Sequence, residues 1–203
     1  MNSRKGSKTP RSAKEVVLES AIQEFARKGY SGTAIQDILQ ATGLSKPTLY
    51  YYFQSKAGLF RAILDFAYDE CLSRMQDRVA RAECGARDKL VAVTTAMFEF
   101  AEKRPQLLRL VFATNFAAPE EIPAECVDKE KRRRNFEFVK GIVEEGVKSK
   151  ELDGSFSAIE LAHGLYGAIT HHCRMHLLCG EGKLDAKLAG RMVELYLCGA
   201  KRR

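Results

Sequence analysis

The sequence predicts an all-α protein, and three observations lead to that prediction. Apolar residues recur at three- and four-residue spacing through most of the 203-residue chain, which is the pattern of amphipathic helices. Runs of alternating β-branched residues, which would indicate strands, are almost missing. Ser or Thr followed three residues later by Glu or Gln, the signature of a helix capping box, occurs at Ser12, Thr33 and Ser157.

The first helix is predicted over residues 13–28. Ser12 and Glu15 form its capping box, and Gly29 follows its last turn. Its buried face should contain Val17, Leu18, Ala21, Ile22 and Phe25.

The second helix is predicted to begin at Ala34, after the Thr33–Gln36 capping box. It should end at Gly43, because glycine readily adopts the left-handed conformation that closes a helix. Its predicted buried face contains Ile35, Ile38, Leu39 and Thr42.

A third short helix follows the glycine turn, with Ser45 as its cap and Pro47 in its first turn, where a missing backbone donor does no harm. Leu49 and Phe53 share its inner side, whereas Tyr50–Tyr52 lie on or beside its outer side. Phenols donate to phosphates, and aromatic rings pack on thymine methyl groups. This face is therefore typical of a helix that enters the major groove of DNA, although the tyrosines could instead pack on neighbouring helices.

These residues resemble a known family. Residues 17–64, with FARKGY at 25–30, GLSKPTLYYYF at 43–53 and SKAGL at 55–59, are similar to the DNA-binding domain of the TetR family of bacterial transcriptional regulators. The resemblance implies three helices, of which the third is the recognition helix. It also implies a following helical domain that binds a ligand and forms a homodimer.

The resemblance further implies which residues contact double-stranded operator DNA. Many family members have histidine where this chain has Tyr52, so a phosphate contact at that position would come from a phenol. The implied base or groove contacts are Gln36, Lys46, Pro47, Thr48 and Tyr50. The implied phosphate contacts are Thr33, Tyr51, Tyr52 and Lys56.

The predicted organisation is a flexible basic arm at 1–11, a helix-turn-helix DNA-binding domain at 12–55, and a ligand-binding and dimerisation domain at 56–203. Residues 1–60 hold nine basic and four acidic residues, so they carry five of the seven net positive charges. Phosphate binding requires such an uneven distribution. The arm is interpreted either as a minor-groove contact or as a solubilising tail.

The second predicted domain consists of amphipathic helices. A segment with two prolines, residues 116–123, is predicted to be a loop and a candidate lid. The charged residues 128–135 are interpreted as a solvated helix face. The predicted helices cover residues 56–83, 88–103, 106–115, 124–149, 158–178 and 185–197.

The last two helices are candidates for the dimer interface. Gly164 and Gly167 lie inside a predicted helix, where each glycine costs about 1 kcal/mol relative to alanine, which indicates a close approach between backbones. Two helices from each subunit would form a four-helix bundle; the alternative is packing within one chain. The predicted interface residues are Ala162, Gly164, Gly167, Ala168, Leu188, Met192 and Leu195.

The effector is predicted to be a small apolar or aromatic compound, bound among the middle helices. The alternative is that these aromatic residues form ordinary core. The candidate pocket residues are Phe66, Phe98, Phe112, Phe116, Phe136, Tyr166 and His171.

His171, His172 and His176 include an i, i+4 pair that can bind a metal, but the general-base glutamate of an HExxH site is missing. We therefore predict no metal site, no cofactor and no catalytic activity.

The six cysteines show no CxxC spacing and are expected to be reduced, and nothing in their pattern indicates a redox-sensing thiol. With no apolar signal core and no run of 18 apolar residues, the protein is expected to be cytoplasmic, without a membrane partner.

The sequence thus predicts a ligand-responsive, sequence-specific transcriptional regulator, most simply a repressor that its effector releases from a palindromic operator. An activator or a ligand-independent regulator would share these features. An alternative from a different functional class is a helical protein that binds a metal or a ligand through the His171–His176 cluster.

Overall fold

The computed structural model describes residues 12–83, 85–118, 120–180 and 182–200, so the predicted basic arm at 1–11 lies outside it. The described residues form nine α-helices and one 3-10 turn, and they contain no strand, which confirms the all-α prediction. The helices are α1 (Ala13–Gly32), α2 (Ile35–Thr42), α3 (Lys46–Phe53), α4 (Lys56–Val79), α5 (Ala86–Lys103), α6 (Pro105–Phe116), α7 (Lys129–Lys148), α8 (Ala158–Cys179) and α9 (Ala186–Ala200). The 3-10 turn covers Ala124–Cys126.

The first core joins α1, α2 and α3 to the first half of α4 and to α6. The ring centres of Phe25 and Phe60 lie 4.9 Å apart in an edge-to-face arrangement, and Tyr30 packs on Phe60 at 5.1 Å. Such aromatic pairs add to the burial of apolar area. Since this core extends past residue 55 into α4 and α6, the helix-turn-helix unit is firmly attached to the rest of the molecule.

The second core surrounds α5, which packs against α4, α7, α8 and α9. Most of the α5 side chains are buried, including Leu90, Val93 and Phe98. A helix that is apolar around most of its circumference belongs in the interior of a protein. The arrangement therefore places α4 between the two cores, because its C-terminal residues Leu72 and Met75 pack in this second one.

Two of the three predicted capping boxes are confirmed. The Ser12 and Glu15 side chains exchange hydrogen bonds with each other's backbone N–H at 3.2 and 3.0 Å, and Ser157 and Glu160 do the same.

The Thr33–Gln36 capping box is wrong. Gly29 interrupts α1 with φ of 72°, but the helix continues for one further turn. Thr33 therefore lies beneath the end of α1, only 2% exposed, and its hydroxyl donates to the carbonyl oxygen of Gly29 at 2.7 Å. Ala34 is the cap of α2 instead, and its N–H donates to the Asp37 carboxylate at 3.3 Å.

Other predicted boundaries shift. Helix α4 ends at Val79 instead of residue 83. The predicted helix at 124–149 is divided into the 3-10 turn and α7. The reason for the division is Asp128, whose carboxylate accepts hydrogen bonds from the N–H groups of Glu130 and Lys131 at 3.0 and 3.1 Å and so begins a new helix. None of the helices in the described ranges is long and apolar enough to span a membrane.

Candidate nucleic-acid interface and ligand cavity

The turn between α2 and α3 is fixed by local hydrogen bonds. Gly43 adopts the left-handed conformation, with φ of 69°, and its N–H donates to the carbonyl oxygen of Leu39 at 2.9 Å. The Ser45 hydroxyl accepts a hydrogen bond from the Thr48 N–H at 3.3 Å, as expected for an N-cap. These bonds set the angle at which α3 leaves the turn.

The two faces of α3 are distributed as predicted. Leu49 and Phe53 are buried in the first core, whereas Tyr51 is 81% exposed. Tyr50 and Tyr52 are also exposed, and the rings of Tyr51 and Tyr52 pack edge to face at 5.1 Å. The tyrosines therefore form a surface and do not pack against other helices of the described chain.

Several of the predicted DNA contacts lie together on this surface. Lys46 and Pro47 are exposed in the first turn of α3, and the Lys46 ammonium lies 5.8 Å from the ring centre of Tyr50. Thr48 is half-buried, with its hydroxyl 2.8 Å from that of Ser45. On α2, Gln36 is exposed as well.

Lys56 lies beside this surface at the start of α4. Its ammonium is 4.5 Å from the ring centre of Tyr30 and 3.5 Å from the carbonyl oxygen of Ser31. Burial lowers the pKa of Lys56. The position fits a phosphate contact, but the charge is already held against α1.

The structure does not support the predicted phosphate contact of Thr33. Its hydroxyl donates to the carbonyl oxygens of Gly29 and Glu24, and its N–H lies 3.4 Å from the carbonyl oxygen of Tyr30. In this structure its donors serve the end of α1 and do not face solvent. Thr33 therefore acts as a structural link between α1 and α2.

A cavity of about 700 Å³ lies among α4, α5, α6, α7 and α8. Four of the predicted pocket residues line it: Phe112, Phe116, Phe136 and Tyr166. Its other apolar walls come mainly from Met97, Phe100, Leu108 and Val111. Cavities of this size and character hold small organic ligands.

Three predicted pocket residues are not part of the cavity lining. Phe98 is fully buried in the second core. The ring of Phe66 packs near the Arg104 guanidinium, 5.8 Å away. His171 is exposed on the outer side of α8. The aromatic composition of the middle helices did not show which side of each helix would face the cavity.

Among the polar residues that line the cavity, the sequence analysis missed Tyr68, Arg132 and Asn135. Asn115 accepts hydrogen bonds at Oδ1 from the Tyr68 hydroxyl at 3.4 Å and from the Arg132 guanidinium at 3.3 Å. The Asn135 side chain is 3% exposed, and its Nδ2 donates to the carbonyl oxygen of Tyr68 at 3.1 Å. One signal was available, because Arg132 precedes the predicted pocket residue Phe136 by four positions and so shares its helix face.

The side of the first turns of α7 that faces away from the cavity forms ion pairs with α4. The Lys131 ammonium lies 2.7 Å from the Asp69 carboxylate and 3.6 Å from that of Asp65, and Arg134 also pairs with Asp69. Burial by itself would raise the pKa of Asp69, but its two cationic partners outweigh this effect and lower it. The predicted solvated face is therefore partly an inter-helix contact.

The outer side of α8 and α9 exposes small and apolar residues. Gly164 and Gly167 are exposed, and an added Cβ would have no atom within 4 Å at either position. Leu195 is 76% exposed. Ala168 and Leu188 are partly buried beside the second core.

Two of the predicted interface residues are corrected. Ala162 and Met192 are buried within the chain's own second core. Each lies on the inner side of its helix, so neither is available to a partner subunit.

The histidines of α8 are engaged separately. The Nδ1 atom of His172 lies 2.9 Å from the carbonyl oxygen of Ala168, and that of His176 lies 2.9 Å from the carbonyl oxygen of Gly182. Among the residues with described positions, no group of three His, Cys, Asp or Glu side chains is placed to hold a metal ion.

The capped turn, the exposed third helix and the helix α4 that leads towards the cavity define the class: this is a helix-turn-helix protein with a ligand-sized cavity in its helical body. The sequence of the same region matches a family model. The model of bacterial regulatory proteins of the tetR family matches residues 17–63, so this part of the chain is similar to the TetR family.

Individual relatives agree with this similarity. Over 123 residues the chain is 30% identical to the HTH-type transcriptional activator FasR of Mycolicibacterium smegmatis, covering 60% of this chain and 56% of FasR. Over 52 residues it is 44% identical to the HTH-type transcriptional repressor ComR of Escherichia coli, covering 26% of this chain and 25% of ComR. The alignments thus span about half of the first relative and a quarter of the second.

The fold extends the likeness beyond the first domain. The structure of the transcriptional regulator FadR from Bacillus subtilis, solved in complex with stearoyl-CoA, matches with a TM-score of 0.80 at 18% identity. The match covers 91% of this chain and 98% of that one. At this identity the match describes the fold alone.

Proposed function

We propose that this protein is a ligand-responsive transcriptional regulator that binds a palindromic DNA operator as a homodimer. The observation that carries the proposal is the exposed face of α3, where Lys46, Pro47 and three tyrosines project from a helix held rigidly by its cap and by the first core. Exposed aromatic hydroxyl groups next to a lysine are suited to a DNA groove.

The base contacts are assigned to the exposed first turn of α3 and to the neighbouring part of α2. The backbone contacts are assigned to the periphery of the same surface. The proposed base or groove residues are Gln36, Lys46, Pro47, Thr48 and Tyr50, and the proposed phosphate residues are Tyr51, Tyr52 and Lys56.

The dimer is assigned to the outer side of α8 and α9. The open space above Gly164 and Gly167 would admit a partner helix at short distance, and the exposed Leu195 and Leu178 supply apolar area. An isologous contact of this kind relates two copies of α3 by a two-fold axis. Two recognition helices related in this way read a palindrome.

The coupling between cavity and DNA is assigned to the contact between α4 and α7. Helix α7 lines the cavity with Arg132 and Phe136, and its other side pairs with Asp65 and Asp69 of α4. Helix α4 begins at Lys56, and only two residues separate it from the end of α3. A ligand that displaces α7 therefore shifts α4 and changes the spacing of the two recognition helices.

We propose repression as the regulatory mode, with the ligand as the releasing signal. The cavity lies behind α4 and not at the DNA surface, so a ligand acts on operator affinity through the position of the recognition helices. A shift away from the spacing of the half-sites weakens binding. The curated relatives include the repressor ComR as well as the activator FasR.

The test is selection of bound sequences from random duplex DNA at several salt concentrations. Enrichment of a palindrome is expected, with half-sites about one helical turn or a multiple apart. Weak binding without sequence preference would overturn the proposal.

A matched pair of lysine variants locates the reading surface. Lys46→Ala is expected to lose about 1–3 kcal/mol of operator binding and to relax specificity at particular base pairs. Lys148→Ala removes an exposed charge in the last turn of α7, outside the proposed DNA and dimer surfaces, and should leave both unchanged. Unaltered affinity and preference in Lys46→Ala would refute base reading at that position.

A further inference from the structure

Resting on the proposed function of the cavity, we infer that its ligand is an amphipathic anion, with one acidic group bound by Arg132 and an apolar body enclosed by α5 and α6. This specifies the predicted apolar or aromatic effector by adding a negatively charged end.

The first argument is the pairing of charges at the start of α7. Lys131 and Arg134 pair with Asp69, and Arg133 pairs with Glu130 at 2.8 Å. Arg132 has no carboxylate within ion-pair distance in the described part of the chain; its guanidinium donates to the amide oxygen of Asn115.

A guanidinium whose protein partner is only a neutral amide retains donors for a ligand carboxylate or phosphate. Such a charge-assisted contact is about twice as strong as a neutral hydrogen bond.

The second argument is the composition of the cavity wall. Its charged lining residues are Lys129, Arg132 and Arg133, and no aspartate or glutamate of the described chain lines it. The positive side chains all come from the first two turns of α7, so they lie on one wall of a space whose other walls are mostly apolar. An anion with an apolar body matches this division, whereas a cationic ligand would meet only like charge.

The third argument concerns the buried polar groups. Burial raises the pKa of the Tyr68 and Tyr166 phenols, so both remain protonated; the Tyr68 hydroxyl already donates to Asn115. The Oδ1 atom of Asn135 is buried without a hydrogen-bond partner in the described structure, although the residue lines the cavity. Because this oxygen is an acceptor, the cost of leaving it unpaired can be removed by a ligand group that donates, such as a hydroxyl on the ligand body, and not by the ionised acidic group itself.

The experiment is isothermal titration calorimetry of the full chain without DNA, using two pairs of probes. One pair is decanoate and 1-decanol; the other is 1-naphthylacetate and 2-(1-naphthyl)ethanol. Each pair keeps the apolar body and changes only the acidic group. Decyl phosphate shows whether a phosphate can replace the carboxylate.

The expected result is that at least one anion binds about tenfold or more tightly than its alcohol, the size of one charge-assisted contact. Arg132→Gln should remove that advantage and leave the affinity for the alcohol unchanged. Lys148→Gln, at the other end of α7 and outside the cavity, is the matched loss of one positive charge and should behave as the unmodified chain. Circular dichroism verifies that both variants are folded.

The inference is overturned if no anion binds, if each anion binds no better than its alcohol, or if Arg132→Gln and Lys148→Gln have equal effects. These outcomes are independent of the DNA result. A chain that selects a palindrome but binds none of the anions keeps the proposed regulatory function and loses this ligand class. A chain that binds an anion through Arg132 but selects no DNA keeps the ligand site and loses the regulatory function.

Discussion

Replacing Gly146 by alanine tests the close packing of α7 against the start of α5. Gly146 is buried, and a Cβ added to it would lie 2.7 Å from the Cβ of Ala86 and 2.9 Å from Cδ1 of Leu152. Carbon atoms in contact are normally about 3.5–4.0 Å apart. The Leu152 side chain can rotate, but the Cβ of Ala86 is fixed to the backbone, so α5 and α7 must separate by roughly an ångström.

The magnitude follows from two opposing effects. Forcing an extra methyl group into a filled core costs about 1–3 kcal/mol. Replacing a glycine within a helix by alanine returns about 1 kcal/mol. The net loss is therefore between about 0 and 2 kcal/mol. We expect Gly146→Ala to lower the free energy of unfolding by about 1–2 kcal/mol, the upper part of this range, because the Cβ of Ala86 cannot move without the backbone of α5.

The measurement is urea unfolding followed by circular dichroism at one fixed protein concentration, since a dimer gains apparent stability with concentration. Gly141→Ala is the control in the same helix: an added Cβ there has no atom within 4 Å. The control should gain up to about 1 kcal/mol. If both variants gain stability with an unchanged denaturant slope, the close contact between α5 and α7 is refuted.

Three further perturbations test other parts of the structure. Ser45→Ala removes the cap of α3 and should cost about 1 kcal/mol of stability in urea unfolding; no loss would mean that the cap is dispensable. Asp69→Asn should preserve ligand affinity but reduce the effect of ligand on operator affinity, measured by fluorescence anisotropy; an unchanged effect would remove Asp69 from the coupling. Because the pKa of Asp69 is lowered on folding, its stabilisation is complete above about pH 4 and disappears as the pH falls through the folded-state pKa. Iodoacetamide at pH 8 should modify the exposed Cys179 and spare Cys71, because burial raises the pKa of the Cys71 thiol to about 12; rapid modification of Cys71, mapped by mass spectrometry, would show that it is open to solvent.

The elements that could be predicted from sequence are those with local causes. Ser12 and Ser157 cap their helices through residues three positions away, and Gly43 closes α2 within its own turn. The two faces of α3 follow from helical periodicity, because Leu49 and Tyr51 point to different sides of any helix. The family resemblance of residues 17–64 rests on the same local features.

Thr33 shows where local reasoning stops. The Thr33–Gln36 spacing is that of a capping box, but α1 continues past Gly29 and its free carbonyl oxygens compete for the Thr33 hydroxyl. Which acceptor wins depends on how α1 and α2 are packed, and sequence spacing does not contain that information. The predicted phosphate contact was lost for the same reason.

The cavity shows the same limit over a longer range. The sequence by itself determined that the middle helices are amphipathic and rich in aromatic residues, because periodicity and composition are properties of a single helix. Only the tertiary structure decided that Phe136 faces a cavity while Phe98 fills a core, that Met192 packs inside while Leu195 stays exposed, and that Arg132 points away from the acidic residues of α4. The physical reason is that a helix face meets another helix, a cavity or solvent according to contacts between residues far apart in the chain.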